Sequence, residues 1–175
     1  MAALLSALFL GLTPIFGKQA ILLGLPWQAV VSARTLLAVL LLALILLIFR
    51  REFFYIYPAG LLGCLLAGVI NGAGSLLFYG ALSRIDAGLA QLLYSLYPLF
   101  LALFLRLDNQ PLSRLTILRL LMTIPALFLL TQAGGRSLDL IGVAMMLGSA
   151  MLYALHLPIN QRVLYDMPSP TVTLY

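Results

Sequence analysis

Charges divide this chain into long uncharged stretches, and that pattern restricts its fold more than any single motif does. Between Glu52 and Arg84 lie 31 residues without a formal charge, between Asp86 and Arg106 another 19, and between Asp139 and Arg162 another 22. A hydrocarbon core about 30 Å thick takes roughly 20 apolar residues of helix to cross. Leu36 to Phe49 is apolar at every position, whereas a membrane β-strand alternates over about ten residues. In lipid only helices and closed barrels satisfy the backbone internally, so the spans are helical. With 63% of its residues hydrophobic and 9% charged, and a mean hydropathy of +1.12, the chain has too little polar surface for a water-soluble domain.

The resulting expectation is an all-α, polytopic membrane protein with the lipid bilayer as its solvent. Its spans are expected at about Ala3 to Gly24, Gln28 to Phe49, Pro58 to Leu82, Gly88 to Leu105, Leu112 to Thr131 and Leu140 to Leu164, with Thr171 to Tyr175 opening a seventh. Turn residues and charges mark the connections, among them Gly24-Leu25-Pro26, Arg50-Arg51-Glu52 and Gly134-Gly135-Arg136. Ala2 to Leu12 lacks a small-residue cleavage site behind it and is read as part of the first span, not as a signal peptide. The formal charge of +5 comes from basic residues grouped in connections, where they orient a membrane protein and do not point to nucleic acid. A cytoplasmic N-terminus puts Arg50, Arg51, Arg106, Arg114, Arg119 and Arg162 inside against Arg84 and Arg136 outside, as the positive-inside rule favours.

Sliding the sequence along itself by 144 residues pairs Pro14, Ile15, Lys18 and Pro26 with Pro158, Ile159, Arg162 and Pro170. Five spans per repeat is an odd number, so a second copy enters the membrane from the opposite side, an arrangement of secondary transporters. Residues 1–134 are then a first five-helix repeat, and residues 135–175 the start of a second whose remainder is missing or is supplied by another chain.

Two cations fall inside spans. Lys18 lies in the first and Arg34 in the second, each costing about 2.5 to 3.5 kcal/mol at a helix centre on insertion scales. No Asp or Glu shares a span with them, which leaves water, backbone carbonyls, neighbouring helix ends or an anionic substrate group such as a carboxylate. Polar and aromatic residues recur at helical spacing in three spans: Asn71, Ser75 and Phe78 with Tyr79 beside them; Gln91, Tyr94, Ser95 and Pro98; Ser149, Tyr153, His156 and Asn160. Converging stripes of this kind line a cavity or bond helices to one another. His156 is the one in-span side chain that ordinarily titrates near neutrality, suited to a coupled proton or simply to a hydrogen bond. Gly68 and Gly72 have the spacing that lets helices approach closely, and Pro14 and Pro98 are expected to kink their spans. Cys64, the sole cysteine, excludes an internal disulfide and a cysteine metal cage.

With Gly11 and Lys18 in the first span, Pro26, the run Ser32-Ala33-Arg34, and Asp86-Ala87-Gly88-Leu89-Ala90 leading to Pro98, the chain resembles the EamA-type branch of the drug/metabolite transporter superfamily. The likeness spans all 175 residues, with one departure: the acidic residue usual before the fifth span is represented only by a shifted Asp108. The resemblance implies a carrier in a bacterial inner membrane that exports or exchanges small metabolites, amino acids or related compounds, by alternating access through a central cavity. Lys18, Arg34, Asn71, Tyr79, Gln91, Tyr94, Tyr153 and His156 are the candidate substrate contacts. The sequence has no His-Glu-x-x-His, nucleophile-elbow or phosphate-loop motif, so neither an enzyme, a cofactor, a metal site nor direct ATP drive is expected. The alternative is a membrane subunit or half-transporter that works only with a partner chain.

Overall fold

The computed structural model describes residues 2–107, 118, 121, 122, 125 and 139–175. Its elements are α1 (Ala2–Leu22), α2 (Trp27–Phe49), a 3-10 turn (Arg51–Phe54), α3 (Pro58–Arg84), α4 (Ala87–Tyr94), α5 (Tyr97–Leu107), α6 (Leu140–Asp166) and α7 (Ser169–Leu174). Trp27–Phe49, Pro58–Arg84, Ala87–Leu107 and Leu140–Asp166 are long and apolar enough to cross a bilayer. The 21 residues of α1 reach about 31 Å at 1.5 Å per residue, a bilayer's thickness. The protein is a polytopic helical membrane protein, with no strand among the described residues. Most of the expected fifth span, Leu112 to Thr131, lies outside the described residues, as do Asp108, Arg114, Arg119 and Arg136.

Local chemistry sets the helix ends. α1 stops at a Schellman turn: Leu25 N donates to Ala20 O, Gly24 N donates to Ile21 O, and Gly24 takes φ +93°, a conformation open to a residue without Cβ. Pro26, at φ −62° and ψ 136°, starts α2, and Pro58 occupies the first turn of α3, where no N–H is needed. Asp139 caps α6 by accepting from Ile141 N at 2.9 Å and Gly142 N at 3.1 Å. Those backbone donors, chiefly that of Gly142, and Arg84 hold its carboxyl below its ordinary value. The cap therefore stabilises fully above the usual carboxylate range and is lost as pH falls through the depressed value.

One expected span is two helices. α4 ends at Tyr94 and α5 begins at Tyr97, with Ser95 at φ −64° and ψ −5° between them. Pro98 has no N–H to return to Tyr94 O and its ring crowds that carbonyl. The chain closes the gap with tighter bonds, Leu96 N to Leu93 O and Leu99 N to Leu96 O. α1 and α6 run through Pro14 and Pro158 as continuous helices.

α3 and α6 form the centre, antiparallel along their whole length. Reading down α3, Gly60 faces Met167, Gly63 faces Val163, Ala67 meets His156, Gly74 meets Ser149 and Leu152, Gly80 faces Met145, and Ile85 meets Gly142. Four of the buried small residues of α3, Gly60, Ala67, Gly74 and Ala81, recur every seven positions, the period of a helix–helix seam; Gly80 is buried beside them. The close approach expected at Gly68 and Gly72 is absent among the described residues, where a Cβ at either would meet nothing within 4 Å. α1, α2 and α4 lie against α3, and α4 and α5 against α6. The outer face of α2 stays apolar and exposed, Leu36, Leu37, Leu40, Leu44 and Ile48 among its residues, as lipid solvation permits.

A methyl group at Gly63 would lie 2.6 Å from Val163 Cγ2, a branched side chain with little rotameric freedom. Gly63→Ala is expected to lower stability by about 1–2 kcal/mol, overpacking outweighing helix propensity. Gly68→Ala, into open space, should raise it by up to about 1 kcal/mol. Thermal unfolding in detergent reads both, and equal effects would contradict the seam.

Candidate functional site

The break between α4 and α5 and the stripes on α3 and α6 converge on a cavity of about 320 Å³. α1 supplies Thr13 and Pro14, α2 supplies Arg34, and α3 supplies Asn71, Ser75, Phe78 and Tyr79; Gln91, Tyr94, Tyr97, Ser149 and Tyr153 close it from α4, α5 and α6. An adjoining cavity of about 590 Å³ between α2, α3, α6 and α7 shares Arg34, Asn71 and Ser75 with it and adds His156 and Asn160. A third hollow of about 400 Å³ between α1 and α2 is apolar apart from Thr13, Arg34 and Tyr79. Arg34 is thus common to all three.

The central cavity is walled by aromatic rings. Phe78 and Tyr94 meet edge to face at 5.1 Å and 82°, Tyr97 and Tyr153 at 5.1 Å and 86°, and Tyr94 lies 5.4 Å from Tyr153. These are geometries favoured by the ring quadrupole. The Arg34 guanidinium sits 5.3 Å over the Tyr79 ring, which offsets part of its desolvation. Neither ion pair of the described residues, Arg50–Glu52 or Arg84–Asp139, includes Arg34.

Several polar groups in the lining are already committed. Thr13 Oγ1 donates to Phe9 O at 2.8 Å, Ser95 Oγ to Leu92 O at 2.6 Å and Ser149 Oγ to Gly74 O at 2.7 Å. The first two satisfy carbonyls of their own helix or break, and the third bonds α6 to α3. Asn71, Ser75 and Gln91 bond to no other side chain or backbone group among the described residues and offer their polar atoms to the cavity.

Of the candidate contacts, Arg34, Asn71, Tyr79, Gln91, Tyr94 and Tyr153 line the central cavity together. His156 lines the adjoining one, its ring 6.3 Å from that of Tyr153. His156 Nδ1 lies 3.1 Å from Ala67 O; a carbonyl only accepts, so Nδ1 carries the proton and Nε2 is left to the cavity. Lys18 is in none of the three linings. Its Nζ donates to Leu82 O at 2.6 Å and Ile85 O at 2.9 Å, pairing a cation with the carbonyl end of α3.

Tyr97 is the contact that sequence spacing passes over. On an unbroken helix it points about 120° from Gln91, and only the break at Ser95 and Leu96 turns it onto the same wall. The signal was Pro98, whose steric demand falls on the turn before it.

A family model described as the EamA-like transporter family matches residues 1–132. No curated protein and no solved structure matches the chain.

Replacing Lys18 tests its structural part. Lys18→Met should lower thermal stability by about 1–3 kcal/mol by leaving two carbonyls without their charged donor, and Lys18→Arg should recover part of the loss. No change in either variant would show that the carbonyl bonds do not hold α1 to α3.

Proposed function

The chain belongs to the EamA-like transporter family, a family of membrane transporters of the drug/metabolite type, and from that premise we propose that it is a secondary carrier of small metabolites. The substrate, an amino acid or a related compound bearing a carboxylate, binds in the central cavity and is exposed alternately to the two sides of a bacterial inner membrane. The observation that carries this reading is the cavity itself. A bundle whose outer surface is apolar gathers Arg34, two amides and five aromatic rings around one open hollow, with Arg34, Asn71 and Gln91 exposed to it, a concave site with a few polar groups in an aromatic wall. Polar and charged side chains on membrane-spanning helices are costly unless they serve a path for solutes.

The helix directions support an inverted repeat. Lys18, near the end of α1, meets the end of α3, so those two helices run parallel, and α6 runs opposite to α3 and therefore to α1. Each of α1 and α6 carries a proline eight residues before its last residue, Pro14 before Leu22 and Pro158 before Asp166. The helix that follows each starts after a proline in nearly the same conformation, Pro26 at φ −62° and ψ 136° and Pro168 at φ −62° and ψ 137°, although Pro168 stands two residues before Pro170, the partner of Pro26 at the 144-residue offset, which lies in the first turn of α7. Residues 1–134 are the first repeat in this reading and residues 135–175 open the second, with the N-terminus cytoplasmic. Gly68 and Gly72 border the adjoining cavity, and none of the described residues packs on them. That face suits further helices, from the same polypeptide or from a second copy.

Proteoliposomes incubated with a cell metabolite extract test the carrier reading. At least one compound should accumulate above the level in empty liposomes, and Asn71→Leu or Gln91→Leu should cut that accumulation about tenfold, the loss of one or two buried hydrogen bonds. Accumulation unchanged by either variant would move the site elsewhere.

A further inference from the structure

Resting on the carrier reading of the central cavity, we propose that its substrates are flat monoanions, aromatic carboxylates without an ammonium group, with the carboxylate on Arg34 and the ring among Phe78, Tyr94, Tyr97 and Tyr153. The charge follows from the lining. Among the described residues Arg34 is the one formally charged residue in it, and no described Asp or Glu lines either this cavity or the adjoining one. The carboxylates nearest in the chain stand at the bundle's end as the N-caps of α4 and α6, and that of Asp139 is paired with Arg84 at 3.1 Å. A bound monoanion neutralises Arg34 at membrane depth, whereas a cation meets only its repulsion. A zwitterion brings an ammonium group for which the lining has no anion.

The shape follows from the rings. The guanidinium carbon lies 5.3 Å over the Tyr79 ring, and no hydrogen bond or ion pair among the described residues engages its N–H groups, which can fork onto the two oxygens of a carboxylate. The four other rings meet at 5.1 to 6.1 Å in edge-to-face and tilted pairs, so they present both faces and edges to a planar guest. About 320 Å³ is at the small end of ligand sites and fits a single-ring compound. Asn71, Ser75 and Gln91 remain for ring hydroxyl groups, since the hydroxyls of Thr13, Ser95 and Ser149 already donate to carbonyls.

Four labelled probes of similar size separate the classes: 4-hydroxybenzoate, cyclohexanecarboxylate, phenylalanine and phenethylammonium. Binding is measured on the purified protein and counterflow in proteoliposomes. We expect 4-hydroxybenzoate to bind at least about tenfold more tightly than the other three, and Arg34→Gln to abolish that preference. Arg34→Lys, which keeps the charge and loses the fork, should retain a weakened part of it, and Tyr153→Leu should lower the discrimination against cyclohexanecarboxylate. Equal or tighter binding of phenylalanine or phenethylammonium overturns the class, as does binding of none of the four; counterflow of either amine would then leave the carrier reading standing. Binding of 4-hydroxybenzoate without counterflow upholds the class and removes the carrier.

Discussion

The close contact between α3 and α6 is the interaction on which the remaining structure depends. Lipid tails are as apolar as leucine, so helices in a membrane gain little by hiding apolar side chains from one another; they associate through close fit and interhelical hydrogen bonds. α3 provides the fit with Gly60, Ala67, Gly74 and Ala81 at intervals of seven. α6 answers with Gly142, Ser149, Ala150 and Ala154. Polar bonds fix the register: Ser149 to Gly74 O, His156 to Ala67 O and Arg84 to Asp139. Once that register is fixed, the stripes of α3 and α6 face the same space, and α4 and α5 close it.

The two cations inside the spans meet the same cost in different ways. Lys18 gives its donors to carbonyls at the end of α3, where a helix terminus carries partial negative charge. Both of these acceptors belong to the protein itself. Arg34 has a ring beneath it and open space around it, at the point where three hollows meet. Depth and residue type do not separate these roles; the position of α3 does, because its end reaches Lys18 while its middle leaves Arg34 facing the cavity.

Much of this was legible in the sequence, and the parts that were not share a cause. The described spans follow from apolar length, uncharged through α3 and α4–α5 up to their last turns and interrupted only by Lys18 and Arg34 in α1 and α2, and their ends sit within about two residues of the turn signals, the usual tolerance at helix termini. The stripes named Asn71, Tyr79, Gln91, Tyr94 and Tyr153 because helical periodicity survives wherever the helix is straight. It failed for Tyr97, which lies beyond the break at Ser95. It failed for the seam as well: Gly68 and Gly72 present the commoner small-residue spacing, yet the contacts use Gly60, Gly63, Gly74 and Gly80. Which face of α3 meets a partner is decided by α6, more than fifty residues away, and no window on α3 contains that information. The two readings of Lys18, substrate contact or helix-end clamp, were open for the same reason.

The central claim is that water and solutes reach a polar cavity within an otherwise lipid-solvated bundle. Ser75 and Leu76 test it directly, being neighbours at one depth: Ser75 lines both polar cavities, while Leu76 is exposed on the outside and borders neither. In a Cys64→Ala background, Ser75→Cys and Leu76→Cys are each treated in membranes with sulfonatoethyl methanethiosulfonate, a thiol reagent that stays charged. The account predicts fast modification at Ser75→Cys and none at Leu76→Cys. Protection of both thiols, or equal modification of both, would contradict it.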